Sequence, residues 1–360
     1  MSQSIPSNRL PQPERLLKRL PLADLPTPVS AGAVRIAGRK RALWIKRDDL
    51  SSRLYGGNKV RKLEYYLERA RARGCKRIAT FGTVGSHHAL AAALYADKLG
   101  WPCTCFLSHQ KRVPGVAEAL ALHLAIGTRI VRYGGRYADR VRTLREHLWG
   151  EQTWVIPAGG TCWLGTFAFV CAGIELAREV AQGVLPEPDR LYVATGTMGT
   201  AAGLALGLAL AGARTEVQAV RVSHLWLCNE RELARVMRNA TGMMRRLDPG
   251  IPADLHARAR IVLRHEFFAG GYAHSDRATE EAIAIAAAEL GLALEQTYTG
   301  KAMAALLADL GADGKPTVFW NTASPVQPPV LRTRLDPGAL PEEFQAYLVQ
   351  DDGDAPSSAG

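Results

Sequence analysis

The sequence lacks several features that mark membrane, secreted or zinc-binding proteins. No apolar run approaches the roughly 20 residues that a helix needs to cross a bilayer. Residues 1–21 contain proline and charge but no continuous apolar stretch, so we expect no secretory signal and a cytoplasmic protein. The six cysteines include no C-x-x-C pair, and Cys103 and Cys105 fall within an apolar run. We therefore expect buried free thiols rather than a metal or redox site.

The basic excess of the chain comes without a nucleic-acid-binding motif. The formal net charge is +11, but the arginines are spread along the whole chain. No zinc-finger spacing, helix-turn-helix signature or aromatic-basic ribbon accompanies them. A solvated, arginine-rich surface accounts for the charge, and nucleic-acid binding is kept only as a minor alternative. We expect neither a nucleic-acid nor a membrane partner.

What the chain does contain is a regular alternation of short apolar runs and longer helical patterns. Strands that alternate with crossover helices predict parallel sheets with helices on both faces, and the number of strands favours two such α/β units. Ligands bind beyond the carboxyl ends of the strands in such sheets, so we look for chemistry there. Strands are predicted within residues 42–46, 77–82, 103–108, 128–134, 153–160, 190–196, 215–223, 260–268 and 316–322. Helices are predicted within residues 58–73, 86–100, 115–126, 137–148, 164–181, 201–212, 230–238 and 278–290.

Residues 194–203, ATGTMGTAAG, join a predicted strand to a helix and are rich in glycine and threonine. Glycines let a ligand approach the backbone, and free N–H groups at a helix start attract a phosphate. Thr197 and Thr200 add hydroxyl donors. The segment lacks both the G-K-[ST] ending of a nucleotide P-loop and the spacing of a dinucleotide fingerprint. We predict a phosphate-binding loop, with a tightly packed glycine-rich turn as the alternative.

Residues 82–88, GTVGSHH, form a second junction between a strand and a helix. Ser86 is a good N-cap residue, and one interpretation gives it no role beyond capping the helix. The alternative is that the start of the helix binds a ligand carboxylate, which the Ser86 hydroxyl then faces. His87 and His88 are adjacent on the predicted helix and cannot face one metal ion together. No metal site is therefore expected.

Two further segments place polar residues at the ends of predicted strands. A strand-like run over residues 292–298 leads to Tyr298 and Thr299, ahead of a helix that begins near Gly300. Taken alone, this segment predicts that Tyr298 is a turn residue that packs on the core. The strand over residues 318–323 ends with Asn321 and Thr322, and taken alone these residues likewise predict an ordinary turn.

Residues 55–64, YGGNKVRKLE, place Lys59 in the first turn of a helix, where acidic residues are usually preferred. A solvated surface lysine would explain this position if it stood alone. A lysine, a phosphate-binding loop and a strand-end Tyr-Thr pair together suggest pyridoxal phosphate. The aldehyde of this cofactor needs a lysine, its phosphate needs N–H donors, and its ring nitrogen needs a polar partner.

These segments resemble the 1-aminocyclopropane-1-carboxylate deaminase / D-cysteine desulfhydrase family, a branch of the fold-type II pyridoxal-phosphate enzymes similar in fold to tryptophan synthase β. The resemblance covers residues 26–322, and GGNKVRKLE and YTGKAMA are its specific blocks. It implies two doubly wound α/β domains with mostly parallel sheets, and a homodimer. We expect residues 1–61 and 170–350 to form a large cofactor-binding domain, residues 62–169 a small domain, and residues 351–360 a disordered tail.

The resemblance also implies roles for individual residues. Lys59 matches the lysine that forms a Schiff base with pyridoxal 5'-phosphate and then shuttles the Cα proton. Ser86 matches a serine that faces the substrate carboxylate, and Tyr272 and Tyr298 match active-site tyrosines, so these three and Lys59 form the predicted catalytic set. The predicted cofactor-binding set comprises Asn58, Lys59, His87, Gly196, Thr197, Met198, Gly199, Thr200, Thr299 and Thr322.

Two of these positions favour one branch of the family. Thr299 and Thr322 match threonines of the desulfhydrase-like pattern, where deaminases usually carry Glu and Leu. We therefore expect a lyase that performs α,β-elimination on a small amino acid with a β-leaving group and releases pyruvate and ammonia. The alternatives are a 1-aminocyclopropane-1-carboxylate deaminase and a degenerate member that binds pyridoxal phosphate or an amino acid without turnover.

The chain departs from the family pattern at several positions, which leaves the substrate open. His87 stands where relatives carry an asparagine that hydrogen-bonds the cofactor's phenolic oxygen, and a histidine is larger and able to carry charge. Cys162 and Trp163 replace a smaller pair, and Trp163 is expected to narrow or reshape the pocket. Residues 321–324 read Asn-Thr-Ala-Ser in place of His-Thr-Gly-Gly.

Overall fold

A computed structural model describes residues 10–113, 115–148, 152–324 and 337–348. Within them the chain divides into a first unit, residues 10–74 and 157–324, and a second unit, residues 75–156 and 337–348.

The chain passes between the units after Gly74 and before Pro157, whereas the predicted domain boundaries lie at 61 and 170. The reason is that helix α1 (Asn58–Ala72) packs on helix α5 (Trp163–Ala181), which keeps both helices in the first unit. Residues 337–348, predicted in the large domain, belong to the second unit. The predicted tail, residues 351–360, lies outside the described residues.

The first unit is built on a six-stranded sheet in the order β1-β2-β10-β7-β8-β9. Strands β1 and β2 pair antiparallel, and every other neighbouring pair is parallel. The predictions missed β1, because this half-exposed strand has no continuous apolar run. The strands are β1 (Val29–Ile36), β2 (Arg39–Lys46), β7 (Arg190–Thr195), β8 (Glu216–Arg221), β9 (Ile261–Arg264) and β10 (Thr317–Trp320).

Helix α6 (Gly199–Leu210) packs closely on α5 because two of its glycines leave room. A Cβ on Gly203 would lie 2.4 Å from Phe169 Cβ, and one on Gly207 would lie 2.2 Å from the Val170 carbonyl oxygen. These glycines therefore allow the two helices to pack closely on each other. The other helices of the first unit are α7 (Glu230–Leu247), α8 (Leu255–Arg258), α9 (Arg277–Leu290) and α10 (Thr299–Asp313).

The second unit contains a four-stranded, fully parallel sheet in the order β5-β4-β3-β6. Cys103 and Cys105 on the inner strand β4, and Cys228 in the first unit, are buried free thiols as predicted, whereas Cys75, Cys162 and Cys171 are free thiols that are only half-buried. The strands are β3 (Arg77–Thr83), β4 (Cys103–Ser108), β5 (Arg129–Arg132) and β6 (Thr153–Ile156). The helices are α2 (His87–Lys98), α3 (Val116–Ala125), α4 (Tyr137–Leu148) and α11 (Glu342–Gln345).

Two sequence expectations differ from the structure in detail. The run over residues 292–298 is not a strand: it is a turn in which the Glu295 carboxylate accepts hydrogen bonds from the backbone N–H groups of Thr297 and Tyr298. Helix α7 is twice as long as predicted, because its apolar stripe continues to Met244. Over the described ranges, no helix combines the length and apolarity needed to span a membrane.

Candidate active site

Lys59 is the second residue of α1, and the carboxyl end of β10 fixes where this helix begins. The Asn58 N–H donates to the Thr322 carbonyl oxygen at 3.3 Å. Gly57 has a φ of 87°, and a Cβ there would lie 2.5 Å from the same oxygen. Only glycine allows this close approach with a left-handed backbone. Thr322 therefore contacts the start of α1 through its backbone, and its role in cofactor binding stays a prediction.

The Lys59 amine is half-buried, and desolvation lowers its pKa to about 8. In the described part of the chain, no acidic group opposes this effect. A lysine with this pKa has a larger neutral fraction near pH 7 than a solvated lysine, and only the neutral amine is a nucleophile or base. Lys59 is thus suited to react with an aldehyde.

The basic neighbours Arg61 and Lys62 are not the cause of the lowered Lys59 pKa. The Arg61 guanidinium is bound by carboxylates of Asp48 and Glu175 at 2.8 and 2.9 Å, so its charge is compensated. Lys62 is fully buried and donates to the Gly159 carbonyl oxygen at 3.0 Å. Desolvation, followed by the charge of Lys59, lowers the pKa of Lys62 well below its usual range.

The predicted phosphate-binding loop joins β7 to α6 and lies beside the start of α1. Asn58 Nδ2 donates to Thr200 Oγ1 at 3.1 Å, and Thr197 Oγ1 lies 2.7 Å from Thr161 Oγ1. Met198 adopts a left-handed φ of 64°, an uncommon conformation for a residue with a side chain. The structure therefore brings the loop residues together with Asn58 and Lys59, and their roles toward the cofactor stay predictions.

Lys62 also borders this loop, although it belongs to neither predicted set of site residues. A Cβ on Gly199 would lie 3.4 Å from Lys62 Nζ and 2.9 Å from Thr161 Oγ1. Helix α6 begins at Gly199, whose own N–H donates to the Thr197 carbonyl oxygen at 2.9 Å. The N–H groups of the first turn after Gly199, the threonine hydroxyls and the Lys62 amine are neighbours. Such a group of donors is suited to an anion such as phosphate.

Tyr298 and Tyr272 form a hydrogen-bonded pair on the same unit. Their hydroxyl oxygens are 2.7 Å apart, and their rings meet edge to face with centroids 5.8 Å apart. Burial and the neighbouring Tyr272 raise the pKa of Tyr298 well above its usual range, so its hydroxyl stays protonated. A Cβ on Gly196 would lie 3.7 Å from Tyr298 Cε1, which places this ring next to the phosphate-binding loop.

Thr299 is buried at the start of α10, and its hydroxyl is held by Glu295. Thr299 Oγ1 donates to Glu295 Oε1 at 3.0 Å and accepts from the Glu295 N–H at 3.0 Å. The carboxylate also accepts from the Thr299 N–H at 2.7 Å and so satisfies free donors at the helix start. Sequence reasoning missed Glu295, whose only signal was an acid four residues before a helix. The role of Thr299 at the ring nitrogen stays a prediction.

Ser86 and His87 lie in the second unit, so their parts in the site stay predictions. Ser86 is the N-cap of α2 and accepts from the Ala89 N–H at 3.3 Å. His87 is half-buried in the first turn. His88 is buried, and its Nε2 lies 3.1 Å from Thr80 Oγ1. Among the described side chains, no group of three or more His, Cys, Asp or Glu residues is placed to hold a metal ion.

The residues of the first unit fit pyridoxal phosphate. Lys59 offers an amine for the aldehyde, and the loop with Lys62 offers donors for the phosphate. Tyr298 places a protonated hydroxyl beside that loop. Because Gly196 has no side chain, space next to the Tyr298 ring stays open.

A family model described as pyridoxal-phosphate dependent enzyme matches residues 20–322. Nocardicin C-9' epimerase of Nocardia uniformis subsp. tsuyamanensis is 34% identical over 329 residues, which cover 86% of this chain and 93% of that protein. D-cysteine desulfhydrase of Klebsiella pneumoniae (strain 342) is 30% identical over 303 residues, which cover 80% of this chain and 87% of that protein. A solved structure of an ACC deaminase homologue is 26% identical with a TM-score of 0.72, and the match covers 94% of this chain and 99% of that one.

These similarities confirm the predicted fold class, family resemblance and cofactor. They extend over nearly the whole of the related proteins, so they concern complete enzymes rather than a shared fragment. The chain belongs to the family of pyridoxal-phosphate-dependent enzymes.

Proposed function

We propose that the protein is a lyase that performs α,β-elimination on a small amino acid with a β-leaving group and releases pyruvate and ammonia. The observation that carries this proposal is the bond between Asn58 and Thr200, which places Lys59 directly beside the phosphate-binding loop. The similarity to D-cysteine desulfhydrase supports elimination as the reaction. Thr299, in place of a glutamate, favours elimination over opening of a cyclopropane ring.

Lys59 is the base in this reaction. When bound, pyridoxal phosphate withdraws electrons from the substrate Cα and weakens its C–H bond. Lys59 accepts the Cα proton, for which its pKa of about 8 is well matched near neutral pH. Ser86 is proposed to bind the substrate carboxylate, and His87 to bind the cofactor, as the resemblance implies.

The tyrosine pair is proposed to supply the proton for the leaving group. The Cα–H and Cβ–X bonds break, a Cα=Cβ double bond forms, and X departs with the proton of Tyr298. Tyr272, 2.7 Å away, is placed to return a proton to Tyr298. The released enamine then reacts with water to give pyruvate and ammonia. The proton that Lys59 accepted returns through water to the tyrosine pair, so atoms, protons and electrons balance.

A second candidate reaction is inversion at Cα. The similarity to an epimerase at 34% identity favours it, as does a hydroxyl pair separate from the lysine. Elimination and inversion both begin with removal of the Cα proton. They differ in whether Cβ loses a group or Cα regains a proton on its other face.

A substrate screen of the holoenzyme in deuterated water separates these reactions. D- and L-cysteine, β-chloroalanine, serine and cysteate test for pyruvate, 1-aminocyclopropane-1-carboxylate tests for ketobutyrate, and D- and L-alanine test for inversion with deuterium uptake. Pyruvate from a substrate with a leaving group supports the lyase. Inversion of alanine without any pyruvate supports the epimerase instead, and bound cofactor without any product supports a binding role.

We further propose that the protein is a homodimer, with the cytoplasm as its location. Leu225 and Trp226 are adjacent and exposed by 57% and 77%, so together they offer an apolar surface to a partner subunit. Sedimentation velocity at micromolar concentration should give a dimer that Trp226→Ser weakens. A monomer across the concentration range contradicts this proposal.

A further inference from the structure

Tyr272 lies on a segment that its own backbone holds only weakly. This segment, residues 265–274, has no regular secondary structure and is called here the Tyr272 segment. Its three turn hydrogen bonds, at Phe268, Gly271 and His274, are all 3.3 Å long. Ala269 and Ala273 adopt left-handed φ values of 54° and 60°, which disfavour residues with a side chain. Contacts from outside the segment must therefore define its conformation.

Lys301 of α10 supplies two short contacts of this kind, both to the backbone of the segment. Its side chain is fully buried, and Nζ donates to the Phe268 carbonyl oxygen at 2.8 Å and to the Gly271 carbonyl oxygen at 2.7 Å. The ammonium also lies 5.5 Å from the centre of the Phe268 ring. Hydrogen bonds from a charged donor are stronger than the neutral turn bonds of the segment. Gly271 immediately precedes Tyr272, so Lys301 acts on the backbone next to the tyrosine.

Lys301 and Tyr298 both lie at the start of α10, so the contact of Lys301 links the Tyr272 segment to the helix turn that carries Tyr298. Tyr298 is the N-cap residue of α10, and Lys301 follows three positions later. The first turn of α10 therefore carries Tyr298 itself, and through Lys301 it also binds the Phe268 and Gly271 carbonyl groups of the segment that carries Tyr272. The distance of 2.7 Å between the hydroxyls depends on both.

We infer that Lys301 is a positioning residue, whose ammonium group holds the Tyr272 segment against α10 and so keeps the Tyr272 hydroxyl on Tyr298. The readouts in turnover rest on the proposed function, while the backbone readout below does not. Lys301 itself contacts no reacting atom, so it acts through the tyrosine pair.

The charge on Lys301 gives this arrangement a pH dependence. The charged groups that face it are Arg221 at the end of β8, Asp276 at the N-cap of α9, and Glu295 before α10. Burial lowers the pKa of Lys301 to about 8, although Asp276 and Glu295 act in the opposite direction. The ammonium is therefore present near pH 7 and is lost as the pH rises through about 8, which weakens both carbonyl contacts.

The main test is a double-mutant cycle with Lys301→Met and Tyr272→Phe in the holoenzyme. Lys301→Met should retain the absorption band of the lysine-bound cofactor and lower kcat about 10- to 100-fold, as expected for a misplaced catalytic group. In the Tyr272→Phe background the same change should have little further effect, because coupled residues are not additive. Fully additive losses overturn the inference.

Two lysines serve as controls for loss of charge. Lys46→Met removes another buried lysine of the same unit, bound to the Thr27 carbonyl and to Glu179, and tests general destabilisation. Lys315→Met removes an exposed one. Amide hydrogen exchange over residues 265–274 should become faster in Lys301→Met and remain unchanged in Lys315→Met. Unchanged exchange in Lys301→Met contradicts the inference even if no substrate turns over.

The pH dependence provides a second measurement, as the ratio of the kcat of the wild-type holoenzyme to that of Lys301→Met. The Lys59 base titrates in both proteins, so the ratio isolates Lys301, and it should fall as the pH rises through about 8. A ratio that stays constant up to pH 10 contradicts the inference. A wild-type protein with bound cofactor but without turnover of any tested amino acid refutes the proposed function alone, and the hydrogen-exchange result then decides on Lys301.

Discussion

At the scale of single residues, the contacts of the three basic side chains at the start of α1 distinguish Lys59 from its neighbours. Three basic side chains follow one another in the first turns of α1. Arg61 is bound by two carboxylates, Lys62 by a carbonyl oxygen, and the Lys59 amine has its pKa lowered by desolvation alone. The same sequence motif therefore yields one ion pair, one loop contact and one reactive amine.

Replacement of Lys59 by alanine should abolish covalent cofactor binding. We expect Lys59→Ala to lose the absorption band of the lysine-bound cofactor and at least about 10³-fold in kcat, because both the amine and the base are removed. Absorption spectra during cofactor titration and a pyruvate assay measure the two effects. Lys98→Ala, at an exposed position at the end of α2, is the control. A normal band in Lys59→Ala would contradict the assignment.

Tyr298→Phe should separate proton removal from departure of the leaving group. The ring and its edge-to-face contact with Tyr272 are retained, and only the hydroxyl is lost. We expect pyruvate formation to fall about 100-fold, in the range of general acid catalysis, while deuterium uptake at Cα continues. Mass spectrometry of recovered substrate measures the uptake. Equal losses of both activities would assign Tyr298 to an earlier step.

At the scale of elements, the site depends on how two helix starts meet. Helix α1 begins against the residues that follow β10, and α6 begins after β7, so both helix starts lie at the carboxyl ends of parallel strands of one sheet. The bond from Asn58 to Thr200 joins these starts. The cofactor-binding loop is thereby coupled to the helix that carries the reactive lysine.

Thr200→Val should weaken binding of pyridoxal phosphate while it preserves the fold. The change removes a loop hydroxyl and leaves the buried Asn58 amide without its acceptor, a loss of about 1–3 kcal/mol. We expect the cofactor Kd to rise about tenfold or more by fluorescence titration. Thr241→Val is the matched control, since the Thr241 hydroxyl is buried without a hydrogen-bond partner among the described residues. An unchanged Kd in Thr200→Val would contradict the role of the loop.

At the scale of the whole molecule, a buried ion-pair network makes stability depend on pH. Lys46 and Arg61 both bind Glu175, and Arg61 also binds Asp48. Burial alone would raise the pKa of Glu175, but the two cations outweigh it and lower the pKa from 4.5 to about 2. A depressed carboxyl pKa stabilises the folded state above pH 4.5, and this contribution is lost as the pH falls towards 2.

Glu175→Gln should therefore reduce stability at pH 7 more than at pH 3. The difference between 4.5 and about 2 corresponds to a contribution on the order of 3 kcal/mol at neutral pH. Urea unfolding at both pH values measures it. Glu118→Gln, at an exposed position on α3, should behave as the wild type. Equal destabilisation by Glu175→Gln at pH 7 and pH 3 would argue against this electrostatic origin.

Sequence reasoning predicted most elements because buried parallel strands are continuous apolar runs, as in β4 and β7. It missed β1, whose side chains are mostly half-exposed, and misread residues 292–298, where apolar residues precede a turn held by Glu295. Among candidate site residues it named Lys59, the loop and both tyrosines, whose roles stay predictions. The contacts of Glu295 and Lys301 went unnoticed, because a capping carboxylate and a buried ammonium are defined by partners and not by a motif.

The sequence by itself determined the α/β fold, the family and the cofactor, because these rest on local periodicity and on motifs that are contiguous in the chain. Only the tertiary structure decided which cation of α1 is neutralised and which backbone carbonyls Lys301 holds. Glu175 lies more than 100 residues from Arg61, and Lys301 acts on residues about 30 positions earlier. Burial and ion pairing arise from such distant contacts, and these set the pKa values on which the chemistry depends.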